Sequence, residues 1–456
     1  MTSSDTIVAI STPHGSGGIA VARVSGGNAI SCVAKCWRGA PLTSMASHSA
    51  HLGTVVNSRG ELLDEVVLTL FRGPRSFTGE DVVEISCHGS LWIQQQLINT
   101  LVDCGCRAAA AGEFTRRAFT NGRIDLSQAE AIADVIAAQS ATAHRVAMNQ
   151  MRGAFAKHLA SLREKLLEFT SLVELELDFS EEDVEFADRS RLIALAADIH
   201  SYITSLADSY REGNAIRNGI PVAIIGATNA GKSTLLNAIV GDDRAIVSDI
   251  HGTTRDVIED SLVLNGVQLR LIDTAGIRRS NDAIETLGIE RSFQKLREAS
   301  IVVWVIDATA AQADVDRFYT TVATAFEGKK VLAVLNKCDL LQGEPQLKLA
   351  QELDTIAISA HNSPDIDRLK QRLTALADLP EVDDNTLIVI NARHYEALTR
   401  AADAIARVNQ ALADGLPGDL LSQDLRECLH YLGEITGEIT SADVLQSIFS
   451  RFCIGK

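Results

Sequence analysis

The sequence predicts a multidomain protein of the α/β plus α class, in which an α/β unit interrupts a helical domain. With 456 residues, the chain is longer than one hydrophobic core supports, so two to four domains are expected. Short apolar runs occupy residues 1–120, regular strand–helix alternation occupies 218–378, and amphipathic helical segments occupy both 121–217 and 379–456. Because amphipathic helices need an apolar partner face, the two helical segments are expected to form one discontinuous domain.

Residues 1–120 predict an α+β domain. The runs TIVAI, GIAVARVSG, DEVVLTLF and EDVVEISC are rich in β-branched residues and are bounded by turn residues, which is typical of strands. The run SLWIQQQLINTLVDCG has helical periodicity and ends at a glycine.

Residues 121–217 predict long helix. The stretch from Leu126 to Phe169 holds one glycine and no proline, and its apolar residues recur at spacings of three and four. The acidic stretch ELELDFSEEDVEF interrupts this pattern. Within it, Ser180 and Asp183 form a capping box, which favours the solvated start of a new helix over a metal site.

Residues 218–378 predict a doubly wound parallel sheet. The runs PVAIIG, VQLRLIDTAG, SIVVWVID, KVLAVLNK and TIAISA alternate with helical segments. Strands that are apolar on both faces are typical of a sheet covered by helices on both sides.

The composition excludes several classes of protein. A net charge of −17 argues against a nucleic-acid-binding surface over the whole molecule, although residues 1–125 are neutral, with 10 basic and 10 acidic side chains. The N-terminus lacks a cationic leader and no apolar run is long enough to cross a bilayer, so a cytoplasmic location without membrane contact is expected. The eight cysteines lack paired zinc-site spacing and are expected to be mostly buried thiols.

The run GATNAGKS, from Gly226 to Ser233, is a complete phosphate-binding loop between an apolar strand and a helical run. Its N–H groups can surround a β-phosphate, and Lys232 can place its charge across the β- and γ-phosphates during hydrolysis. The hydroxyl group of Ser233 is a predicted ligand of Mg²⁺.

Later motifs identify the nucleotide as GTP. In GTT, Thr254 can bind Mg²⁺ and the γ-phosphate; in DTAG, Asp273 lies in the second shell of Mg²⁺ and the Gly276 N–H faces the γ-phosphate. In NKCD, Asp339 can accept two hydrogen bonds from guanine, which adenine cannot donate, at a cost of ~1–3 kcal/mol for the wrong base. SAH supplies N–H groups for the guanine carbonyl. The GTP-binding residues predicted in these motifs are Asn229, Ala230, Gly231, Lys232, Ser233, Thr234, Gly252, Thr253, Thr254, Asp273, Thr274, Ala275, Gly276, Asn336, Lys337, Asp339, Ser359, Ala360 and His361.

The residue after DTAG raises a question about hydrolysis. Ile277 stands where the best-known switch proteins carry a glutamine that orients the attacking water, and isoleucine cannot form that hydrogen bond. Asp282, Glu285 or Glu290 could hold a water instead. The amide oxygen of Asn229 suits a monovalent cation that would replace an arginine finger, but taken alone Asn229 is better explained as a tolerated variable position.

The guanine-nucleotide motifs, the ending FCIGK and the stretches GIAVARVSG, SFTGEDVVEISCHG and GEFTRRAFTNGRIDLSQAEAIADVI together resemble the MnmE (TrmE) family of tRNA-modification GTPases. The resemblance covers essentially the whole chain. It implies an N-terminal folate-binding domain that dimerises (1–120), a helical domain (121–217 and 379–456) and an inserted Ras-like G domain (218–378).

The resemblance also implies a reaction. Members of this family use GTP hydrolysis in carboxymethylaminomethyl-type modification at C5 of the wobble uridine of certain tRNAs. They act as homodimers in a hetero-oligomer with MnmG, a partner that uses FAD and NADH. A tetrahydrofolate such as 5-formyltetrahydrofolate donates the one-carbon unit.

Further site residues follow only from this resemblance. Potassium would be bound by the Asn229 side chain and the loop residues Ser248, Ile250 and Thr253; Ser248, Asp249 and Ile250 also join the GTP-binding set. Glu285 would be catalytic, orienting water through a bridging water, which answers the question of Ile277. The folate-contact positions are Arg23, Glu80, Arg123 and Lys456, of which Arg123 is often lysine in the family. Cys453 would have a role in tRNA modification, on a tail tucked toward the folate site.

Simpler interpretations remain for these residues. Read without the family, each folate-contact residue is a surface charge and the C-terminus is a frayed tail. An alternative function is an assembly or signalling GTPase that acts on ribosomal RNA without one-carbon chemistry, although neither flank of the G domain is basic.

Overall fold

The computed structural model describes residues 5–178, 189–241, 260–272, 296–380, 382–383, 386–416, 418–450 and 452–456. The chain divides into two compact units, each discontinuous in sequence. One contains Met1–Ala133, Gln150–Ala196 and Asp403–Lys456, and the other contains Asp134–Asn149 and Ala197–Ala402.

A seven-stranded sheet forms the N-terminal part of the first unit, in the order β3-β4-β5-β6-β2-β1-β7. Its strands are β1 Ile7–Ile10, β2 Ile19–Ser25, β3 Trp37–Arg38, β4 Ser49–Val56, β5 Leu62–Phe71, β6 Val82–His88 and β7 Arg107–Ala108. Neighbouring strands are antiparallel except β1 and β7. The four predicted strand runs correspond to β1, β2, β5 and β6. The sequence pattern missed β4, SAHLGTVV, because most of its side chains are exposed or half-buried rather than apolar and buried.

Three helices accompany this sheet: α1 Ala29–Cys36, α2 Leu91–Asp103 and α3 Glu113–Thr120. Helix α2 matches the predicted helix. Its buried Leu97 and Leu101 share one apolar core with Val33 of α1 and with Leu68 and Ile85 of the sheet. Four of the cysteines, Cys32, Cys36, Cys87 and Cys106, are buried in the same core.

The stretch from Leu126 to Phe169 is not one long helix, contrary to the prediction. It is divided among α4 Leu126–Ala137, α5 Ala141–Met151 and α6 Ala154–Asp178. Ser140 starts α5 by accepting the N–H of Ala143 on its hydroxyl oxygen at 3.1 Å, and Gly153 takes φ of +81°, which ends the preceding turn. Neither the Ser140 hydrogen bond nor the backbone angle of Gly153 changes the spacing of apolar residues, so the periodicity of the sequence did not predict these breaks. The capping box of Ser180 and Asp183 lies outside the described residues.

The remaining helices outside the α/β unit lie on both sides of it in sequence. They are α7 Arg189–Asp208, α8 Tyr210–Asn218, α12 Ala392–Ala413, α13 Gly418–Thr436 and α14 Ala442–Ser450. Within the first unit, α6 and α13 pack together, and Arg426 of α13 pairs with Glu174 of α6 at 2.5 Å.

A six-stranded sheet forms the α/β part of the second unit, in the order β13-β12-β11-β8-β10-β9. Its strands are β8 Ile220–Ile225, β9 Asp260–Leu264, β10 Val267–Ile272, β11 Ile301–Asp307, β12 Lys330–Asn336 and β13 Asp354–Ala357; its helices are α9 Lys232–Val240, α10 Gln312–Val322 and α11 Ser363–Ala377. All pairs are parallel except β9 and β10, which form a hairpin whose turn places Asn265 and Gly266 at positive φ. Two apolar clusters cover the two faces of this sheet, so the predicted doubly wound class is confirmed.

Close backbone packing at Gly213 gives a test of the fold. A Cβ atom there would lie 2.1 Å from the carbonyl oxygen of Val389. Alanine is the better helix former by about 1 kcal/mol, yet Gly213→Ala should lower the free energy of unfolding by about 1–3 kcal/mol because α8 must move. The matched control is Gly343→Ala, where no atom lies within 4 Å of the added methyl group. Chemical unfolding of both variants measures the effect, and equal stability of the two would contradict this packing.

Candidate functional site

The phosphate loop lies at the carboxyl edge of the parallel sheet, between β8 and α9. Gly226 takes φ of +152°, and a Cβ atom on it would lie 2.1 Å from the carbonyl oxygen of Val305 in β11. Gly231 takes φ of +94°, and a Cβ atom there would lie 2.3 Å from Nδ2 of Asn336. Only glycine fits either position, so the loop backbone can lie where a phosphate group would meet its N–H groups. Asn229, predicted to bind potassium, is exposed on this loop at φ of +64°.

Lys232 closes the loop at the first position of α9. Its Nζ donates to the carbonyl oxygens of Gly226 and Ala227, each at 2.8 Å. Burial lowers the pKa of Lys232. The ammonium group therefore lies across the loop with backbone partners that phosphate oxygens could replace. Ser233 is half-buried and Thr234 exposed in the same turn.

Asn336 connects three of the predicted motifs. Its Nδ2 donates to the carbonyl oxygen of Ala230 in the phosphate loop at 3.0 Å, and its Oδ1 accepts the N–H of Ala360 at 3.0 Å. The residue is 2% exposed. A buried amide with both ends bonded holds the NKCD and SAH loops against the phosphate loop.

The rest of NKCD follows in a short turn. Lys337 has φ of +66°, and its Nζ lies 2.7 Å from Oδ2 of Asp307 at the end of β11. Burial alone would raise the pKa of Asp307, but hydrogen bonds from Lys337 and Thr309 outweigh it and lower the pKa. Asp339 is exposed, so its carboxylate can meet a guanine base.

The SAH loop is held from its own helix. Oδ2 of Asp365 in α11 accepts the N–H of Ser359 at 2.9 Å, and Arg368 pairs with the same carboxylate at 2.6 Å. The hydroxyl oxygen of Ser359 accepts the N–H of His361 at 3.3 Å. The predicted loop residues are thereby fixed beside Asn336.

Several predicted residues of the nucleotide site lie outside the described part of the chain. They are Ser248, Asp249, Ile250, Gly252, Thr253, Thr254, Asp273, Thr274, Ala275, Gly276 and Glu285.

The N-terminal domain places a carboxylate in a network of charges. Glu80 accepts the Ser25 hydroxyl at 2.7 Å and both of its oxygens lie 3.2 Å from Nη1 of Arg117. Nη2 of Arg117 also bonds Asp5 at 2.8 Å and Glu113 at 3.1 Å. Arg117 is 5% exposed and Glu113 is 1% exposed. The network fixes the orientation of Glu80 while leaving acceptor capacity on its half-buried carboxylate.

Two further predicted folate residues lie against the loop that ends in Glu80. Arg23 pairs with its cross-strand neighbour Glu84 at 2.8 Å, and its guanidinium lies 5.4 Å from the centre of the Phe77 ring. The Arg123 side chain is exposed and passes 3.1 Å from the position of a Cβ atom on Gly79. Arg23 and Arg123 therefore both contact the loop that ends in Glu80.

The C-terminal tail is packed against the N-terminal domain. The hydroxyl group of Ser11 donates to the carbonyl oxygen of Gly455 at 3.0 Å, and Ile454 forms an antiparallel bridge with Ala111. Gly455 has φ of +94°, and a Cβ atom there would lie 2.1 Å from the carbonyl oxygen of Ile10. The tail is thus not frayed. Cys453 is exposed, and among the described residues no salt bridge or hydrogen bond joins Lys456 to Arg23, Glu80 or Arg123.

The sequence analysis did not identify four residues that hold the predicted site residues in place: Ser25, Arg117, Asp307 and Asp365. Two of them carried a usable signal. Arg117 lies four residues after Glu113, the helical spacing of an ion pair. Asp307 ends a buried parallel strand, where site residues are common.

Two family models match the chain. One is described as the GTP-binding protein TrmE N-terminus and matches residues 6–123, and the other is the MnmE helical domain and matches residues 126–453.

The curated relatives match from end to end, and each is named tRNA modification GTPase MnmE. The Parabacteroides distasonis protein is 53% identical over 99% of this chain and 100% of its own length. The Bacteroides fragilis protein is 52% identical over 99% of each chain, and the Flavobacterium johnsoniae protein is 46% identical over 100% of each. Among solved structures, Aquifex aeolicus Era bound to GDP and AlF4⁻ is similar to 40% of this chain and 66% of its own at 27% identity, but with a TM-score of 0.26 it adds nothing to these matches.

Within the described ranges, no helix combines the length and apolarity needed to cross a membrane.

The buried charge network predicts unequal roles for two adjacent arginines. Arg117→Met leaves the buried carboxylate of Glu113 and the half-buried carboxylate of Glu80 without their shared partner and should lower the free energy of unfolding by about 3–5 kcal/mol. Arg116→Met is the matched control because the Arg116 side chain is 51% exposed and lies 3.5 Å from Glu113, so its loss should cost less than about 1 kcal/mol. Urea unfolding of both variants measures the effect. Similar losses of unfolding free energy would contradict the predicted importance of the buried network.

The difference in stability between the wild type and Arg117→Met should also depend on pH. Burial would raise the pKa of Glu113, but hydrogen bonds from Arg107, Ala110 and Arg117 outweigh it and lower the pKa below its ordinary 4.5. A carboxyl with a depressed pKa stabilises the fold above its unfolded pKa and loses that contribution as pH falls through the folded pKa. Wild-type stability should therefore fall below about pH 4.5, and more steeply than that of Arg117→Met.

Proposed function

The chain belongs to the MnmE (TrmE) family of tRNA modification GTPases, and on that premise we propose a potassium-activated GTP hydrolase that modifies wobble uridine at C5 with a tetrahydrofolate one-carbon donor. The observation that carries this proposal is the match at about half identity over whole chains to relatives that all bear that name. None of these relatives supports the alternative of an assembly GTPase acting on ribosomal RNA.

GTP would bind with its phosphates on the loop between Gly226 and Ser233 and its base between the NKCD and SAH loops. The close approaches at Gly226 and Gly231 fit a phosphate group, since a side chain at either position would displace the loop backbone. Asp339 selects guanine, while the buried Asn336 holds both loops in place. Lys232 exchanges its backbone carbonyl partners for β- and γ-phosphate oxygens, where its charge stabilises the transition state in a site of low dielectric. Ser233 and Thr254 would bind Mg²⁺.

The proposal for hydrolysis uses a cation in place of an arginine finger. Asn229 is exposed on the phosphate loop, so its amide oxygen is available as a potassium ligand, with Ser248, Ile250 and Thr253 as the other proposed ligands. A bound potassium ion supplies positive charge beside the β–γ bridging oxygen. Glu285 is the proposed residue that orients the attacking water, which makes a glutamine at the position of Ile277 unnecessary.

A tetrahydrofolate would bind beside Glu80. Because Arg117 and Ser25 hold the Glu80 carboxylate, it can accept hydrogen bonds from the aminopyrimidine edge of a pterin, and Phe77 is 37% exposed beside it. Arg23, Arg123 and Lys456 are the proposed cationic partners of the folate carboxylates. The folate supplies the one-carbon unit for C5 of uridine. Cys453 is exposed on the docked tail, and we assign it a role in the modification step without specifying its chemistry.

The proposed assembly is a homodimer that works with MnmG, the FAD- and NADH-using partner, on tRNA in the cytoplasm. Dimerisation would complete the potassium site and the water-orienting arrangement in a site from which bulk water is excluded.

The proposed potassium mechanism predicts that the rate of GTP hydrolysis depends on which monovalent cation is present. GTP turnover should rise about ten-fold or more in potassium and hardly at all in sodium, because the smaller ion fits the same ligands poorly. Steady-state hydrolysis in matched chloride salts measures this, and nucleotide affinity in both salts is the control. Equal turnover in the two salts, at equal affinity, would exclude the potassium mechanism.

The folate proposal predicts that one carboxylate is essential. Glu80→Gln keeps the size of the side chain but removes the charge, and should weaken 5-formyltetrahydrofolate binding about 10–100-fold in calorimetry. In cells whose only copy of the gene encodes this variant, a nucleoside digest of tRNA should lack the C5-substituted uridine. The control is Glu65→Gln, an exposed position on β5. Full modification with Glu80→Gln would contradict the folate site, and full modification in cells lacking the protein would contradict the function.

A further inference from the structure

One ion pair links two neighbouring strands at the carboxyl edge of the α/β sheet. Asp307 is the last residue of β11 and Asn336 is the last residue of β12, and the two are directly paired in the parallel register. Lys337 follows Asn336, and its Nζ lies 2.7 Å from Oδ2 of Asp307. The pair therefore joins the NKCD loop to β11, the strand that also pairs with β8 before the phosphate loop.

The Asp307 carboxylate is held from its own loop as well. Its Oδ1 accepts the N–H of Thr309 at 2.9 Å and the Thr309 hydroxyl group at 2.7 Å, which leaves Oδ2 for Lys337. The N–H of Ala308 donates to the carbonyl oxygen of Asn336 at 2.8 Å, so the two strand ends are also joined through their main chains. The oxygen that meets Lys337 is thus fixed by the protein itself.

The backbone of Lys337 has a conformation that lysine rarely adopts. Its φ of +66° and ψ of +30° lie in the left-handed region, where a Cβ atom is crowded and glycine or asparagine is more common. The next residue, Cys338, packs against an apolar core, and Asp339 is exposed. Because glycine would make this turn more easily, the lysine is better explained by what its side chain does.

The ion pair itself contributes little to folding. The side chains of Asp307 and Lys337 are 24% and 30% exposed, so both charges keep contact with water. Such a pair adds little to the free energy of unfolding, because solvent screens the attraction and two side chains lose rotamer freedom. Its main effect is to hold a long, flexible side chain in one place, two residues before the predicted guanine-binding carboxylate of Asp339.

We propose that Asp307 is a positioning residue for GTP: it anchors the ammonium group of Lys337, so that the methylene stem of Lys337 covers one face of the guanine base. A lysine stem can pack along an apolar surface while its charged end stays with a carboxylate. Because Lys337 is ordered before the nucleotide arrives, the loss of its rotamer freedom does not oppose binding. The inference requires GTP binding, which the family assignment supplies, and is separate from the potassium and folate proposals.

A double-mutant cycle on the full-length protein tests this role. Asp307→Asn keeps an acceptor for Thr309 but turns a neutral amide toward Lys337, and should weaken binding of a ribose-labelled fluorescent GDP about ten-fold, as should Lys337→Met. Since Asp307 acts through Lys337, adding Asp307→Asn to Lys337→Met should change the affinity by less than about two-fold. In steady-state hydrolysis by Asp307→Asn, KM for GTP should rise about ten-fold while kcat stays nearly unchanged.

Two further variants separate positioning from loss of charge. Asp367→Asn removes an exposed carboxylate from α11 and should leave GDP affinity unchanged. Thr309→Val keeps the charge of Asp307 but removes one of the hydrogen bonds that hold it, and should weaken GDP binding about two- to three-fold. Urea unfolding of each variant without nucleotide measures whether the fold is retained.

Wild-type GDP affinity in Asp307→Asn, or an equal loss in Asp367→Asn, would overturn the proposal. Additive losses in the double variant would also overturn it, because Asp307 would then act independently of Lys337. A lowered kcat at unchanged KM would assign Asp307 to hydrolysis instead. Should Asp307→Asn fail to fold, unchanged affinity in Thr309→Val would be the contradicting result. A wild-type protein that binds no GDP would contradict the nucleotide site as a whole, which is a different outcome from any of these.

Discussion

One buried amide group organises the nucleotide site. Nδ2 of Asn336 donates to the carbonyl oxygen of Ala230 and its Oδ1 accepts the N–H of Ala360, so this one residue connects the phosphate loop with the two loops predicted to bind the base. Its Nδ2 also lies where a Cβ atom of residue 231 would be, so Gly231 is constrained both by this contact and by its backbone angle. The arrangement depends on the parallel sheet, because β8, β12 and β13 bring all three loops to the same edge. A single side chain therefore holds the predicted guanine-recognition loops and the predicted phosphate loop together.

In the N-terminal domain, buried charged groups likewise hold side chains in fixed orientations. Arg117 has carboxylates on several sides, and its partners Glu80 and Glu113 come from a loop and from its own helix. Such a network contributes little net stability relative to an apolar core, but it fixes the orientation of each carboxylate strictly, because any misplaced member would leave a charge without a partner. This rigidity is what a ligand-binding carboxylate needs, and the packing of the C-terminal tail against Ile10 and Ala111 draws the distant end of the chain into the same domain.

The sequence by itself determined the fold class and predicted the motifs of the nucleotide site. Both are encoded locally: the five strand runs of this sheet are largely apolar, and a phosphate loop needs its glycines and lysine at fixed spacing. Local patterns did not reveal β4, whose side chains are largely exposed, or the breaks at Ser140 and Gly153 that divide the expected long helix. Nor could they reveal that Arg117 holds Glu80, or that Asn336 holds Ala230, because those partners are 37 and 106 residues apart in sequence. Only the tertiary structure decided such contacts, since a hydrogen bond between distant residues depends on how strands and loops are brought together and leaves no periodicity in the chain.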